Sequence, residues 1–290
     1  MVIILLFPFL LLFHLSPANA TPTEYDIAVT YDDKEHQIHG FEEIAFVNDG
    51  PVPLSEIYLL LYPNRYLRKE PEISPIFYRQ AYPVKFNPGG IQVTSIRDIG
   101  GSPLPHSLNK DDDKSKKETL MRVQLPKPIP PHGTVRFIVH FTTTLPEKRG
   151  IFGYYRDVVT LQGGWHPYLP RFEHGRWEFH ATPPKSRFRI HLTLDERLQS
   201  IASDPPKLVR VTGTDLTLFM EGELPFFSLS IGEKTIRHVI SVDGVKIIYY
   251  PLLRNQSDAQ AVAAITKEAV SFFQEQYRPT PDARFTLTDA

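Results

Sequence analysis

No cysteine occurs in the 290 residues, which excludes disulfides, thiolate metal ligands and a cysteine nucleophile together. Glycine is scarce beside proline, 16 against 27. Proline is barred from helix interiors and central strands, so this balance favours many short strands joined by proline-bearing turns. Neither sign of charge is in excess. Thirty-two Lys and Arg stand against 33 Asp and Glu, the formal net charge is -1, and no basic stripe exists. Nucleic acid is therefore not an expected partner. Local catalytic motifs are missing too. There is no His-Glu-x-x-His, no two histidines lie four apart, and neither Gly-x-Ser-x-Gly nor a glycine-rich phosphate loop occurs.

Long apolar runs are absent except at the start. Val2 to Leu12 is apolar apart from Pro8, and Ala18-Asn19-Ala20 has the small-x-small form of a signal cleavage site. The run is shorter than the roughly 20 residues of a spanning helix, and no Lys or Arg precedes it. Residues 1–20 are expected to be an export signal, cleaved or retained as an anchor. The mature chain is expected to be secreted or periplasmic, with no membrane contact beyond that segment.

What is present is alternation. Tyr25, Ile27, Val29 and Tyr31 are interleaved with polar or small residues; so are Val135, Phe137, Val139 and Phe141, and Phe188, Ile190, Leu192 and Leu194. Successive strand side chains point to opposite faces, so each set makes one apolar face, the mark of an antiparallel sandwich. Leu59, Leu61, Phe137, Val139, Phe141, Ile190 and Leu192 are the expected core. Turn signals fall at Asn48-Asp49-Gly50-Pro51, Asn87-Pro88-Gly89-Gly90, Pro130-Pro131-His132-Gly133 and Asp243-Gly244. Lys110 to Lys117 reads as a solvated loop. Near the end, Ala261, Ala264, Ile265, Ala269, Phe272 and Phe273 recur at spacings of three and four. That predicts one amphipathic helix over Gln260–Gln276, capped near Ser257-Asp258 and ending before Pro279. A strand follows at Phe285-Thr286-Leu287-Thr288. The expected fold is all-β, an antiparallel sandwich of at least ten strands in two layers. Helix is confined mainly to the signal and to this tail.

One segment, Gly163 to Trp177, holds both tryptophans. Trp165, His166, Tyr168, Arg171, Glu173, His174 and Trp177 make a candidate binding surface with aromatic walls and charged groups. The same residues fit, and better, a proline-rich crossover whose aromatics plug the end of a sandwich. His166, His174 and His180 match no standard metal spacing.

Tyr25 to Asp32, Gly40 to Asn48, Leu54 to Asn64, Gly164-Trp165-His166-Pro167 and Ala261 to Asp289 appear in an order that resembles a known family. It is the zinc metallopeptidase family of membrane alanyl aminopeptidases and leukotriene hydrolases, in its bacterial secreted branch. The resemblance implies a saddle-like N-terminal β-sandwich at 21–253 and the start of a truncated catalytic domain at 254–290, with its first helix and first strand. It implies that the zinc helix and the Gly-x-Met-Glu-Asn loop lie beyond residue 290. No catalytic or metal residue, and no cofactor, is then expected on this chain, with zinc only in the missing catalytic domain. Ala181-Thr182-Pro183-Pro184-Lys185-Ser186 stands where family members carry Pro-x-x-Asp-Glu-Pro, so no substrate-binding role transfers. The expected partners are a separate catalytic chain docking at the C-terminal helix and, in the complete enzyme alone, a peptide substrate. The rival reading is a free-standing secreted module binding peptide or carbohydrate through Trp165–Trp177.

Overall fold

Along β1 (Glu24–Asp32), Tyr25, Ile27, Val29 and Tyr31 are buried while the residues between them reach towards solvent. The computed structural model describes residues 21–70, 72–109, 118–242, 245–252, 258–277 and 284–288, and repeats this pattern along Leu54–Leu60, Thr134–Thr144 and Ser186–Asp195. Next in order come β2 (Gln37–Val47), β3 (Leu54–Leu60), a 3-10 turn (Tyr62–Tyr66), α1 (Pro75–Ala81), β4 (Gly90–Asp98) and β5 (His106–Asn109). They are followed by β6 (Leu120–Ile129), β7 (Thr134–Thr144), β8 (Phe152–Tyr155), β9 (Val158–Leu161), β10 (Arg171–Glu173) and β11 (Arg176–Glu178). Then come β12 (Ser186–Asp195), β13 (Leu198–Ala202), β14 (Leu208–Thr212), β15 (Asp215–Leu224) and β16 (Leu229–Glu233). The chain closes with β17 (His238–Val242), β18 (Val245–Tyr250), α2 (Asp258–Tyr277) and β19 (Arg284–Thr288). The leader, the Lys110–Lys117 run, the Asp243-Gly244 turn, the Ser257 cap and Pro279 lie outside the described residues.

A seven-stranded sheet runs β14-β15-β12-β1-β2-β7-β4. Its neighbours are antiparallel except β1 and β12, which run parallel with Ile27 opposite Ile190. Two smaller sheets, β3-β6-β5 and β13-β16-β9-β8, share its core. That core joins Ile27, Phe137 and Ile190 to Ile57, Leu59 and Val123 of one small sheet and to Phe152, Leu161 and Ile231 of the other. All seven expected core residues are buried. The fold is the expected all-β sandwich.

Two features depart from the sequence reading. Helix α1 lies between β3 and β4, where none was expected. Pro75 sits in its first turn, where its missing N–H costs nothing, but two turns are too short to print a 3.6-residue period. The second departure is at the tail. β17 and β18 pair antiparallel, β18 and β19 pair parallel, and α2 is the crossover between the parallel strands. This β-α-β unit begins at His238, ahead of the division at 253/254 drawn from sequence. Its small core of Val245 and Ile247 is covered by Ile240, Val270 and Leu287.

Candidate functional site

The Gly163–Pro170 segment runs into the sandwich rather than over it. Gly163 (φ 148) and Gly164 (φ 64) admit it, because a Cβ on Gly163 would lie 2.9 Å from the Phe226 ring and one on Gly164 2.9 Å from Tyr62. Trp165 is then fully buried, its indole N–H donating to the Phe227 carbonyl at 2.8 Å. The Thr143 hydroxyl of β7 donates to the Trp165 carbonyl at 2.8 Å. Tyr168 exchanges two backbone hydrogen bonds with Leu60 at the end of β3, and Leu169 N donates to the Tyr25 hydroxyl of β1. The segment therefore ties the large sheet to the small ones, and its own polar groups are satisfied inside.

His166 is buried as well. Its Nδ1 lies 2.7 Å from Glu42 Oε2 and 2.8 Å from the Pro167 carbonyl. Glu42 of β2 is wholly buried on the face that carries Ile38 and Ile44, and its Oε1 has no hydrogen-bond partner. Burial pushes the Glu42 carboxyl above its ordinary range, against the pull of His166. The Tyr25 hydroxyl is raised by burial, and that of Tyr168 is pushed up to about 12.

The expected surface is accordingly divided. Trp165 and His166 are interior and offer no wall to a ligand. Arg171, Glu173, His174 and Trp177 belong to the β10–β11 hairpin, turned by His174 and Gly175, both at positive φ. There Trp177 packs on Phe172 and Phe46, closing the sandwich end, while Arg171 lies 3.5 Å from Glu173 and 4.0 Å from Glu178 at the surface. Tyr168 alone among the seven reaches a cavity beside the glycines. His174 and His180 are exposed, and no group of three metal-ligating side chains exists among the described residues. The described residues do not fit a zinc site.

Sequence reasoning missed the openings on the other side of Gly163-Gly164. One is an aromatic pocket of about 240 Å³ between Tyr62, Tyr168 and Phe226, with the two glycines in its wall. It shares Ile151 and Gln162 with a larger cleft of about 720 Å³ that runs to β19. Hydroxyls line that cleft, among them Thr160, Ser200, Ser230 and Thr288, and Asp204 is its charged group. The Ser200 hydroxyl is buried without a partner. An apolar pocket opening beside a hydroxyl-lined cleft matches a ligand with an apolar side chain on a polar backbone.

No family model matches the sequence, and no curated protein does. Solved structures do match. The chain is similar to the crystal structure of the M1 zinc metallopeptidase from Deinococcus radiodurans, at a TM-score of 0.55 and 15% identity, over 92% of this chain and 56% of that one. A mutant of that metallopeptidase bound to a Tyr-Ser-Ala substrate matches at 0.53 and 14%, over the same shares. A two-domain mutant form bound to L-arginine matches at 0.54 and 14%. At such identity the likeness establishes the fold: the chain folds like part of an M1 zinc metallopeptidase. It spans a little over half the length of the structures it matches.

Proposed function

We propose that this chain is the non-catalytic β-sandwich part of a secreted, aminopeptidase-like zinc metallopeptidase. It presents peptide to catalytic residues supplied from outside these 290 residues. The observation that carries the reading is the extent of the structural match. Coverage of 92% exceeds what residues 1–253 can supply, so the likeness reaches into the β-α-β unit as well as the sandwich. The aromatic pocket and the hydroxyl-lined cleft receive the peptide, and zinc belongs to the catalytic part. Helix α2 supports the same reading, because Ile265 and Phe272 stand exposed on it as a docking face for that part.

The test is an aminopeptidase assay on the purified chain with aminoacyl p-nitroanilides, with zinc added and with chelator. No turnover is expected in either condition. In parallel, the chain should capture a zinc-binding His-Glu-x-x-His protein from its native extract, and the Ile265→Glu/Phe272→Glu variant should lose it. Hydrolysis by the chain alone that chelator abolishes overturns the proposal.

A further inference from the structure

A second surface, unrelated to the pocket, stands out on the lobe between β3 and β4. Helix α1 buries none of its residues. At about 100° per residue, Tyr78 and Ala81 turn towards the protein and Ile76 and Gln80 turn away. Ile76 is 80% exposed and Phe77 57%, and Val84 is exposed just past the helix, while Leu67, also exposed, lies against Gly90 at the start of β4. This exposure does not come from a frayed loop. Tyr82 is buried under the helix and donates to Glu70 at 2.9 Å, and Tyr78 stacks on it at 4.9 Å. The Lys148 ammonium lies 5.5 Å from the Tyr66 ring and 5.8 Å from that of Tyr82, and Arg149 N donates to the Ala81 carbonyl. The lobe is held from below with its apolar side chains aimed outward.

The charged residues carried by the same stretch of chain identify what those side chains meet, with the Lys69 ammonium 5.4 Å from the Tyr78 ring. Arg68, Lys69, Arg79 and Lys85 are all exposed, against the exposed carboxylate of Glu72, since Glu70 is buried. In a chain of net charge -1, this is a local concentration of cations. Lysine is depleted from protein–protein interface cores, whereas Phe, Ile and Leu ringed by Lys and Arg are what a bilayer interface takes up. We propose that Leu67–Lys69 and residues 72–86 form a peripheral membrane-contact surface that seats on an anionic lipid bilayer. Ile76, Phe77 and Val84 enter the headgroup boundary, and the four cations engage lipid phosphates. The seven residues of α1 are far short of the roughly 20 that span a bilayer, so the contact is interfacial. It supplies a membrane contact outside the leader, where the sequence reading expected none, and it does not depend on the peptidase reading.

The experiment uses the full chain carrying Phe77→Trp, with vesicles of phosphatidylcholine alone or mixed equally with phosphatidylglycerol. With the anionic vesicles, the fluorescence added by this substitution should shift to the blue and be quenched by brominated lipid. With neutral vesicles it should do neither, and salt should reverse the effect. Adding Arg79→Glu/Lys85→Glu should weaken partition at least about 30-fold, since each cation near an anionic surface is worth about fivefold. Adding Ile76→Ser should weaken it as well. An equal response to both vesicle types, which apolar contact without a role for the cations produces, overturns the proposal. So does no response to either, or a blue shift that rises with protein concentration in the absence of lipid, which marks a second copy as the occupant.

Discussion

Phe137 and Phe272 are the same residue in two settings. Phe137 lies on β7, between β2 and β4, and is fully buried with Ile44 opposite it on β2. Phe272 lies on α2 and is 56% exposed. Both belong to regular apolar patterns, alternation in one case and a three-and-four repeat in the other. The difference is closure. In the sandwich, the apolar faces of β1, β2, β7 and β12 meet a second layer of the same chain, and one core runs through three sheets. In the C-terminal unit, Val270 turns towards Val245 and Ile247, while the stripe through Ile265 and Phe272 meets no layer of that kind among the described residues. A pattern in sequence prescribes a face, and only a covering layer turns that face into stability.

The largest expected effect lies on the closed side. Phe137→Ala should cost about 3–5 kcal/mol, from lost transfer energy and the cavity left in a sheet that cannot collapse around it. Denaturant unfolding of the variant measures this. A midpoint unchanged from the parent chain would break the comparison at its root.

Within the sandwich the next effect is electrostatic. Glu42→Ala leaves His166 Nδ1 with the Pro167 carbonyl alone and should cost about 1–3 kcal/mol. The pH dependence has a definite sign. Burial holds the Glu42 carboxyl above its ordinary value in the folded chain, so between the two values the folded state binds the extra proton. The stability tied to that proton is fully present below the ordinary carboxylate range and is lost as pH rises through the raised value. Glu42→Gln cannot titrate. The stability of the parent relative to Glu42→Gln should therefore fall as pH rises across that window, read from denaturant midpoints at stepped pH. Parallel curves would show that the carboxyl is not perturbed.

Glu42 also marks where the sequence was legible and where it was not. Period two puts it on the face of Ile38 and Ile44, so a carboxylate in an apolar row was a visible signal. Its partner lies 124 residues away, and nothing local encodes that distance. The same limit hid the parallel pairing of β1 with β12, although the alternation in each strand was plain. The tryptophans left two readings open for a different reason. Trp serves both binding walls and cores, and composition cannot separate the two uses. Gly163 and Gly164 decide it, but only once their positive φ and the closeness of Tyr62 and Phe226 are known. The aromatic pocket draws Tyr62, Tyr168 and Phe226 from three distant stretches and leaves no motif.

Hydrogen exchange sharpens the comparison at the level of single amides. β7 is flanked by strands on both sides, and its amides should exchange only through global unfolding. Amides of α2 over 261–276 should exchange faster, through local opening of the β-α-β unit. Equal protection in β7 and α2 would mean that the two regions unfold as one, and the distinction between them would fail.

The smallest expected effect tests the same idea from the other side. Ile265→Ser/Phe272→Ser removes two large apolar side chains, and on size alone this should be as damaging as any core truncation. The sites are 67% and 56% exposed, however, so little apolar area returns to water when they are lost. Surface changes of this kind fall within about 0.5 kcal/mol, and the change for the isolated chain should stay near that bound. Added to Phe137→Ala, the pair should leave its cost unchanged, because the sites share no contacts. A loss of several kcal/mol from Ile265→Ser/Phe272→Ser would mean that α2 is covered in solution. That would place a second layer over the C-terminal unit of the isolated chain and end the contrast with the sandwich. A small loss in the isolated chain that grows when a catalytic partner is bound would identify the exposed stripe as the surface on which that partner closes.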